Sequence, residues 1–216
     1  MTMIRRLRTS PFTPWVIGGL LVGLVAVLPL LDLSLPGVLP GSTYTPGTLQ
    51  LLAFAMVFAA LALSYHLLFG VAGLLSFGHA LYFALGVYLT TIALSKWDWG
   101  LGRALLLVAL AAIVVPLVLG SISLRVGGIA FAMVTLAFAQ AGQVLVQKNP
   151  DGLTGGEEGL GLNFEPIPDF FVGVVNTKNL YWLALGYAAV VFLVVRWAVS
   201  SSPGHVLQAI RENERR

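Results

Sequence analysis

Residues 104–123 read ALLLVALAAIVVPLVLGSIS, a run of twenty positions without a charged side chain. A helix of about 20 residues rises about 30 Å, which is the thickness of the hydrocarbon core of a bilayer. The whole chain has a similar character, since 58% of its 216 residues are hydrophobic and 10% are charged, with a mean hydropathy of +0.91. Because soluble domains are about one-quarter charged, this composition excludes a soluble globular domain.

Further apolar runs of similar length lie on both sides of this stretch. The candidate spans are near 15–31, 49–69, 73–95, 104–123, 129–146 and 180–199. Only Arg196 carries a charge within them. In lipid, a helix bonds all of its backbone polar groups internally. The sequence therefore predicts an all-α fold, a polytopic membrane helix bundle of about six transmembrane helices at 15–199, between a tail at 1–14 and a segment at 200–216.

The basic residues predict the orientation, because Lys and Arg accumulate on the cytoplasmic side of a membrane. With the N-terminus inside, one side collects eight of the twelve: Arg5, Arg6, Arg8, Arg125, Arg196, Arg211, Arg215 and Arg216. The loop at 147–179 then lies outside. We expect a multi-pass membrane protein with both termini cytoplasmic. Topology accounts for the net charge of +3, so no nucleic-acid partner is predicted.

Glycines are concentrated between the second and third apolar runs, where residues 70–80 read GVAGLLSFGHA. Glycine destabilises a helix interior by about 1 kcal/mol relative to alanine, so this stretch indicates either a tight turn or an interrupted helix. An interrupted helix at membrane depth must face protein or a water-filled cavity. Close packing of small residues and the lining of a translocation path both fit the pattern.

The fifth apolar run carries two amides, Gln140 and Gln143, on one helix face. Amides without partners are costly in hydrocarbon, so this face is predicted to look into the bundle or a polar cavity. Interhelical hydrogen bonding and substrate contact both fit these amides. For His79, a structural role through hydrogen bonds to neighbouring helices is favoured. We hypothesise that a translocation path is lined or shaped by Gly73, Ser76, Gly78, His79, Thr135 and Gln140.

The signatures of common catalytic and metal sites are missing from the sequence. There is no G-x-x-x-x-G-K-[ST] motif, no H-E-x-x-H motif and no cysteine. The acids Asp151, Glu157 and Glu158 lack the spacing of a calcium-binding EF-hand loop. No catalytic, cofactor or metal site is therefore predicted. The apolar runs also lack Asp and Glu, which disfavours a gradient-driven carrier built on proton relays.

The C-terminal segment, residues 200–216, reads SSSPGHVLQAIRENERR. Proline favours the first turn of a helix, and Val206, Leu207 and Ile210 then share one face. The segment is predicted to form a short amphipathic cytoplasmic helix. A basic tail held by anionic lipid is the alternative, but the apolar face with Glu212 and Glu214 favours docking to a protein.

Three blocks of the chain, in order, resemble the permeases of branched-chain amino-acid ABC transporters, in the LivM-like branch. Residues 70–80 are similar to the family's G-x-x-G-x-x-S-x-G-H-A block. The second block has two parts, residues 128–140, which are similar to G-I-x-F-A-x-x-T-L-A-F-A-Q, and residues 153–160, which are similar to L-T-G-G-x-x-G-L. The run SPGHVLQAIRENE at 202–214 is similar to the cytoplasmic loop of these permeases, with His205 and Val206 replacing the usual Arg and Ala. The resemblance covers roughly residues 50–216.

This resemblance implies a membrane permease subunit of an ATP-driven importer for branched-chain or related hydrophobic amino acids. It implies a second permease subunit, two cytoplasmic ATPase subunits that use the ATP, an extracytoplasmic substrate-binding protein, membrane lipid and no cofactor in this chain. Coupling to the ATPase is assigned to Pro203, Gly204, Ala209, Ile210, Arg211, Glu212, Asn213 and Glu214.

Other interpretations of the sequence remain open. A urea or short-amide ABC permease shares the same blocks. The family normally continues past the coupling segment, so we expect this chain to be a fragment or a truncated reading frame. A truncated, non-transporting membrane remnant is therefore a further alternative.

Overall fold

A computed structural model describes residues 13–34 and 39–213 of the chain. Throughout these two ranges the secondary structure is helical, without strands. The α-helices in this part of the chain are α1 (Thr13–Val27), α2 (Pro46–His66), α3 (His79–Ser95), α4 (Leu101–Ser123), α5 (Gly128–Lys148), α6 (Thr177–Ser200) and α7 (Ser202–Asn213). The predicted all-α fold class is confirmed.

In the described residues, an apolar helix overlaps each of the predicted spans. Four helical stretches within the described ranges are long and apolar enough to cross a membrane: Pro46–Val71, Leu101–Ser123, Gly128–Lys148 and Val174–Ser200. Val16–Leu30 and His79–Ser95 are apolar but shorter. This is the pattern of a multi-pass membrane protein. Most of the predicted tail at 1–14, and Glu214, lie outside the described residues.

The predicted span at 73–95 is wrong at its start, since α3 begins at His79. Helix α2 instead runs into a π-helical turn, Leu67–Val71, and residues 72–78 are not helical. Gly73 has a φ of +78°, which a right-handed helix cannot contain. Hydropathy does not register this break because the non-helical residues are themselves mostly apolar.

The chain forms two compact units, and the first contains the described residues up to Ser64 together with Phe170–Trp197. Its core joins α1, α2 and α6 around Leu49, Met56, Tyr181, Ala184 and Leu185. Tyr181 is fully buried, and its hydroxyl donates a hydrogen bond to the backbone carbonyl of Val25. This bond supplies the partner that a buried tyrosine hydroxyl needs.

The second unit contains Tyr65–Asp169 and the described residues from Ala198 onward. Helix α3 packs against α4 and α5. Ala93 on α3 and Ala104 on α4 are both fully buried, and small residues of this kind let membrane helices approach closely. A Cβ at Gly142 of α5 would overlap Leu81 of α3. Close contact among these three helices therefore depends on small residues.

The segment that follows α5 is held by side-chain hydrogen bonds. Asn149 has a φ of +47° and ends the helix, while its Oδ1 accepts hydrogen bonds from the backbone N–H of Thr154 at 2.9 Å and of Gly155 at 3.0 Å. The Thr154 hydroxyl donates to the carbonyl of Val146 at 2.7 Å. Ser95 Oγ donates to the carbonyl of Gly161 at 2.9 Å. The loop predicted at 147–179 is thus tied to the ends of α5 and α3.

Candidate functional site

The amphipathic C-terminal helix α7 begins directly after α6. A Cβ at Gly204 would overlap the backbone carbonyl oxygens of Ala198 and Val199, so the corner between the helices is as close as glycine permits. Nδ1 of His205 lies 2.9 Å from the carbonyl oxygen of Ser201. On the same helix, Val206 is 57% exposed and Leu207 is 36% exposed. Helix α7 therefore presents apolar side chains that its own unit leaves uncovered.

Arg211 points from α7 toward the glycine-rich segment, residues 70–78. Its Nη1 donates a hydrogen bond to the backbone carbonyl of Gly70. A Cβ at Gly73 would lie 2.9 Å from Cγ and 3.2 Å from Cδ of Arg211, so the arginine stem fills the space that a side chain would need. The arginine thus contacts its own chain, and a guanidinium with five N–H donors keeps others for a further partner.

The far end of the glycine-rich segment is held by Thr135 of α5. The Phe77 backbone N–H donates to Thr135 Oγ1 at 3.1 Å, and the Thr135 hydroxyl donates to the carbonyl of Ala132 at 2.9 Å. A Cβ at Gly78 would overlap the Thr135 carbonyl oxygen. Thr135 and Ser76 are both buried. These contacts fix the start of α3 against α5.

An aromatic contact joins α2 and α3, the two helices that flank this segment. The ring of Tyr65, near the end of α2, meets the ring of His79 edge-on with centroids 5.4 Å apart. Tyr65 also stacks on Phe69 at 6.0 Å. His79 is thus the first residue of α3 and part of an aromatic cluster.

A cavity of about 450 Å³ lies between α3 and α5 in the second unit. Its walls are mainly Ala, Leu, Ile and Val side chains, with Tyr88, Gln143, Gln147 and Thr154 as the polar members. Because no charged side chain lines its described walls, the cavity suits an apolar group and offers no ion partner to an ammonium or carboxylate. Both glutamines are exposed, and Gln143 lines the cavity whereas Gln140 does not.

The structure brings some of the predicted site residues into contact and leaves others apart. Gly73 contacts Arg211 near one end of the glycine-rich segment and Gly78 contacts Thr135 at the other, while Gln140 lies five residues beyond Thr135 on α5. The structure describes the backbone but not the side chains of three predicted coupling residues, Ile210, Glu212 and Asn213. Sequence reasoning missed the contact between Arg211 and Gly70, because no local pattern indicates that residues 141 positions apart will meet.

Comparison with known proteins identifies the family of the chain. Residues 47–216 match the family described as "Branched-chain amino acid transport system / permease component". The high-affinity branched-chain amino acid transport system permease protein LivM of Escherichia coli (strain K12) is 28% identical over 192 residues, covering 78% of this chain and 44% of the relative. LivM of Salmonella typhimurium is 27% identical with the same coverage.

The chain spans less than half the length of these curated relatives. No solved structure matches it. The family match nevertheless extends over the glycine-rich segment, Thr135 and α7, which are the parts whose contacts form the site. The chain belongs to the family of permease components of branched-chain amino acid transport systems.

Proposed function

We propose that this chain is a permease subunit of an ATP-driven importer for branched-chain or related hydrophobic amino acids. In this proposal it assembles in the bacterial inner membrane, with both termini cytoplasmic. Its partners are a second permease subunit, two cytoplasmic ATPase subunits and an extracytoplasmic substrate-binding protein. The names of the relatives, which are high-affinity branched-chain amino acid transport proteins, support the substrate class.

The observation that carries the proposal is the exposed apolar side of α7. Val206 and Leu207 lie uncovered on a helix that is anchored at both ends, by Gly204 at the corner and by Arg211 at Gly70. An exposed apolar surface on an anchored helix is typical of a protein contact. In this proposal the two anchors pass movement of the ATPase from α7 to the membrane helices, as coupling requires.

The ATPase subunits are expected to be lost from the complex when Leu207 is replaced by aspartate. A charge buried at a protein interface without a partner is strongly unfavourable, so we expect uptake of labelled leucine into proteoliposomes to fall at least tenfold. The measurement compares co-purification of the ATPase subunits and leucine uptake for the Leu207→Asp complex with those for the unmodified complex. Urea uptake in the same vesicles tests the substrate class.

The matched control is Gln208→Asp, which adds the same charge at the neighbouring, already polar position of α7. We expect this complex to retain its ATPase subunits and its leucine uptake. Equal retention of the ATPase by the Leu207→Asp complex would contradict the docking role of α7. Uptake of urea without leucine would overturn the proposed substrate. Since the chain contains no cysteine, a single Leu207→Cys supplies a unique cross-linking position for a direct check.

The translocation path is the second part of the proposal. We assign the shaping of the path to Gly73, Ser76, Gly78, His79 and Thr135. The contacts of Phe77 and Gly78 with Thr135 position α3 against α5, and the contact of His79 with Tyr65 joins α3 to α2. Gln140 is proposed to face the path as an exposed amide on α5. Leucine uptake that is unchanged by Gln140→Ala in the complete complex would remove Gln140 from this assignment.

A further inference from the structure

The backbone carbonyl of Gly70 lies in the π-helical turn that ends α2 and accepts no hydrogen bond from Leu74. In a continuing α-helix this oxygen would accept from the N–H of Leu74, but that N–H donates to the carbonyl of Leu68 at 3.1 Å. The N–H of Ala72 donates to Leu67 at 3.2 Å, which gives the π-helical turn. The carbonyl of Gly70, left without a helical partner, instead accepts a hydrogen bond from Nη1 of Arg211.

The contact with Arg211 is shaped by a second, independent feature of the same segment. Gly73 has a φ of +78°. Because glycine has no side chain, the Cγ and Cδ atoms of Arg211 can pack directly against its backbone. The segment thus binds both the charged end of this arginine and its apolar stem. A chance surface contact requires neither feature.

The 70–78 segment, meaning residues 70 to 78, therefore has a fixed attachment at each end. Arg211 of α7 holds Gly70 at one end, and Thr135 of α5 holds Phe77 and Gly78 at the other. Residues 72–76 between them form no helix. These two attachments make residues 70–78 a continuous connection between α7 and α5.

We propose that Arg211 is a positioning residue that links α7 to α5 through the 70–78 segment, so that movement of α7 is converted into movement of the helices around the cavity. This inference rests on the proposed function, because it takes α7 to be the helix that the ATPase moves. The inference goes beyond the proposed function in the role of Arg211, which acts within its own chain and is not itself the ATPase contact.

The test measures ATP hydrolysis and leucine uptake together in the complete complex, reconstituted in proteoliposomes. With Arg211→Gln, we expect ATP hydrolysis to be retained and the leucine transported per ATP to fall roughly tenfold or more, since a charged hydrogen bond is lost. Arg211→Lys keeps a cationic donor and part of the stem, so it is expected to recover much of the ratio. Arg125→Gln removes the same charge from an exposed position and should leave both rates unchanged.

The other end of the segment supplies a second pair of variants. Thr135→Val removes the acceptor for Phe77 and should lower the same ratio, whereas Thr135→Ser keeps the hydroxyl and should preserve it. If both attachments belong to one link, the double variant Arg211→Gln with Thr135→Val should be no worse than the more affected single variant. Additive losses in the double variant would overturn the link.

Two further outcomes separate this inference from the proposed function. If Arg211→Gln lowers ATP hydrolysis and uptake by the same factor with less ATPase in the complex, Arg211 is a docking residue; the link is then wrong and the proposed function stands. If Leu207→Asp also leaves the ATPase bound and uptake intact, the proposed function fails as well. An unchanged transport ratio in Arg211→Gln overturns the link alone.

Discussion

Replacing Gly78 with alanine is expected to destabilise the second unit by about 3 kcal/mol, because the new Cβ would overlap the backbone carbonyl oxygen of Thr135. A flexible side chain could rotate away from such an overlap, but the backbone of α5 can yield only if the helix itself moves. At 1.4 kcal/mol per factor of ten, the ratio of folded to unfolded protein would fall more than a hundredfold. Transport should be lost with it.

The measurement is the thermal unfolding midpoint of the detergent-solubilised chain, with leucine uptake by the complete complex as the functional readout. Gly86→Ala is the control on the same helix, because its Cβ would meet only Val108 at 3.9 Å, an ordinary contact. We expect Gly86→Ala to unfold at or slightly above the normal temperature. An unfolding midpoint for Gly78→Ala equal to that of the unmodified chain would show that α3 and α5 are not this close.

Gly204→Ala is expected to abolish coupling while leaving the membrane helices folded. The Cβ would overlap the carbonyl oxygens of Ala198 and Val199, so α7 must turn away from the end of α6. That movement also withdraws Arg211, seven residues further along α7, from Gly70. We expect leucine uptake to fall more than tenfold, with normal amounts of the chain in the membrane, because overpacking at a corner costs about 1–3 kcal/mol.

Uptake and membrane insertion are measured side by side for Gly204→Ala and for Gly186→Ala. Gly186 lies on α6 with nothing near the position of an added Cβ, so its substitution tests the effect of losing a helix glycine without crowding. Uptake close to normal in Gly204→Ala would mean that the corner between α6 and α7 is not needed for coupling. Equal losses in both variants would point to a general effect on α6.

The positions of the apolar helices were predictable from the sequence because the requirement is local. A run of about 20 apolar residues in lipid must bond its own backbone, and only a helix does so along one segment. Residues 104–123 illustrate this, since α4 begins three residues earlier, at Leu101, and ends at Ser123 as expected. The short amphipathic helix at the C-terminus follows equally from a proline, a spacing and an apolar face.

The contacts of the site were predictable only in part. The glycines at 73 and 78 signalled a break or a close approach, and the structure shows a positive φ at Gly73 and a backbone contact at Gly78. Which carbonyl or side chain fills the space depends on the tertiary arrangement. For the same reason, the shared helix face of Gln140 and Gln143 did not reveal that Gln143 would line the cavity between α3 and α5.

Helices α3 and α4 are packed neighbours of unequal length, with 17 and 23 residues. Helix α3 rises about 26 Å, whereas the uncharged part of α4, residues 104–123, rises about 30 Å, the thickness of a bilayer's hydrocarbon core. A bilayer that matches α4 is therefore too thick for α3 alone, so the lipid beside α3 is expected to thin. Hydrophobic mismatch is therefore built into this helix pair. Changing the acyl-chain length of the surrounding lipid should change the angle at which the two helices cross.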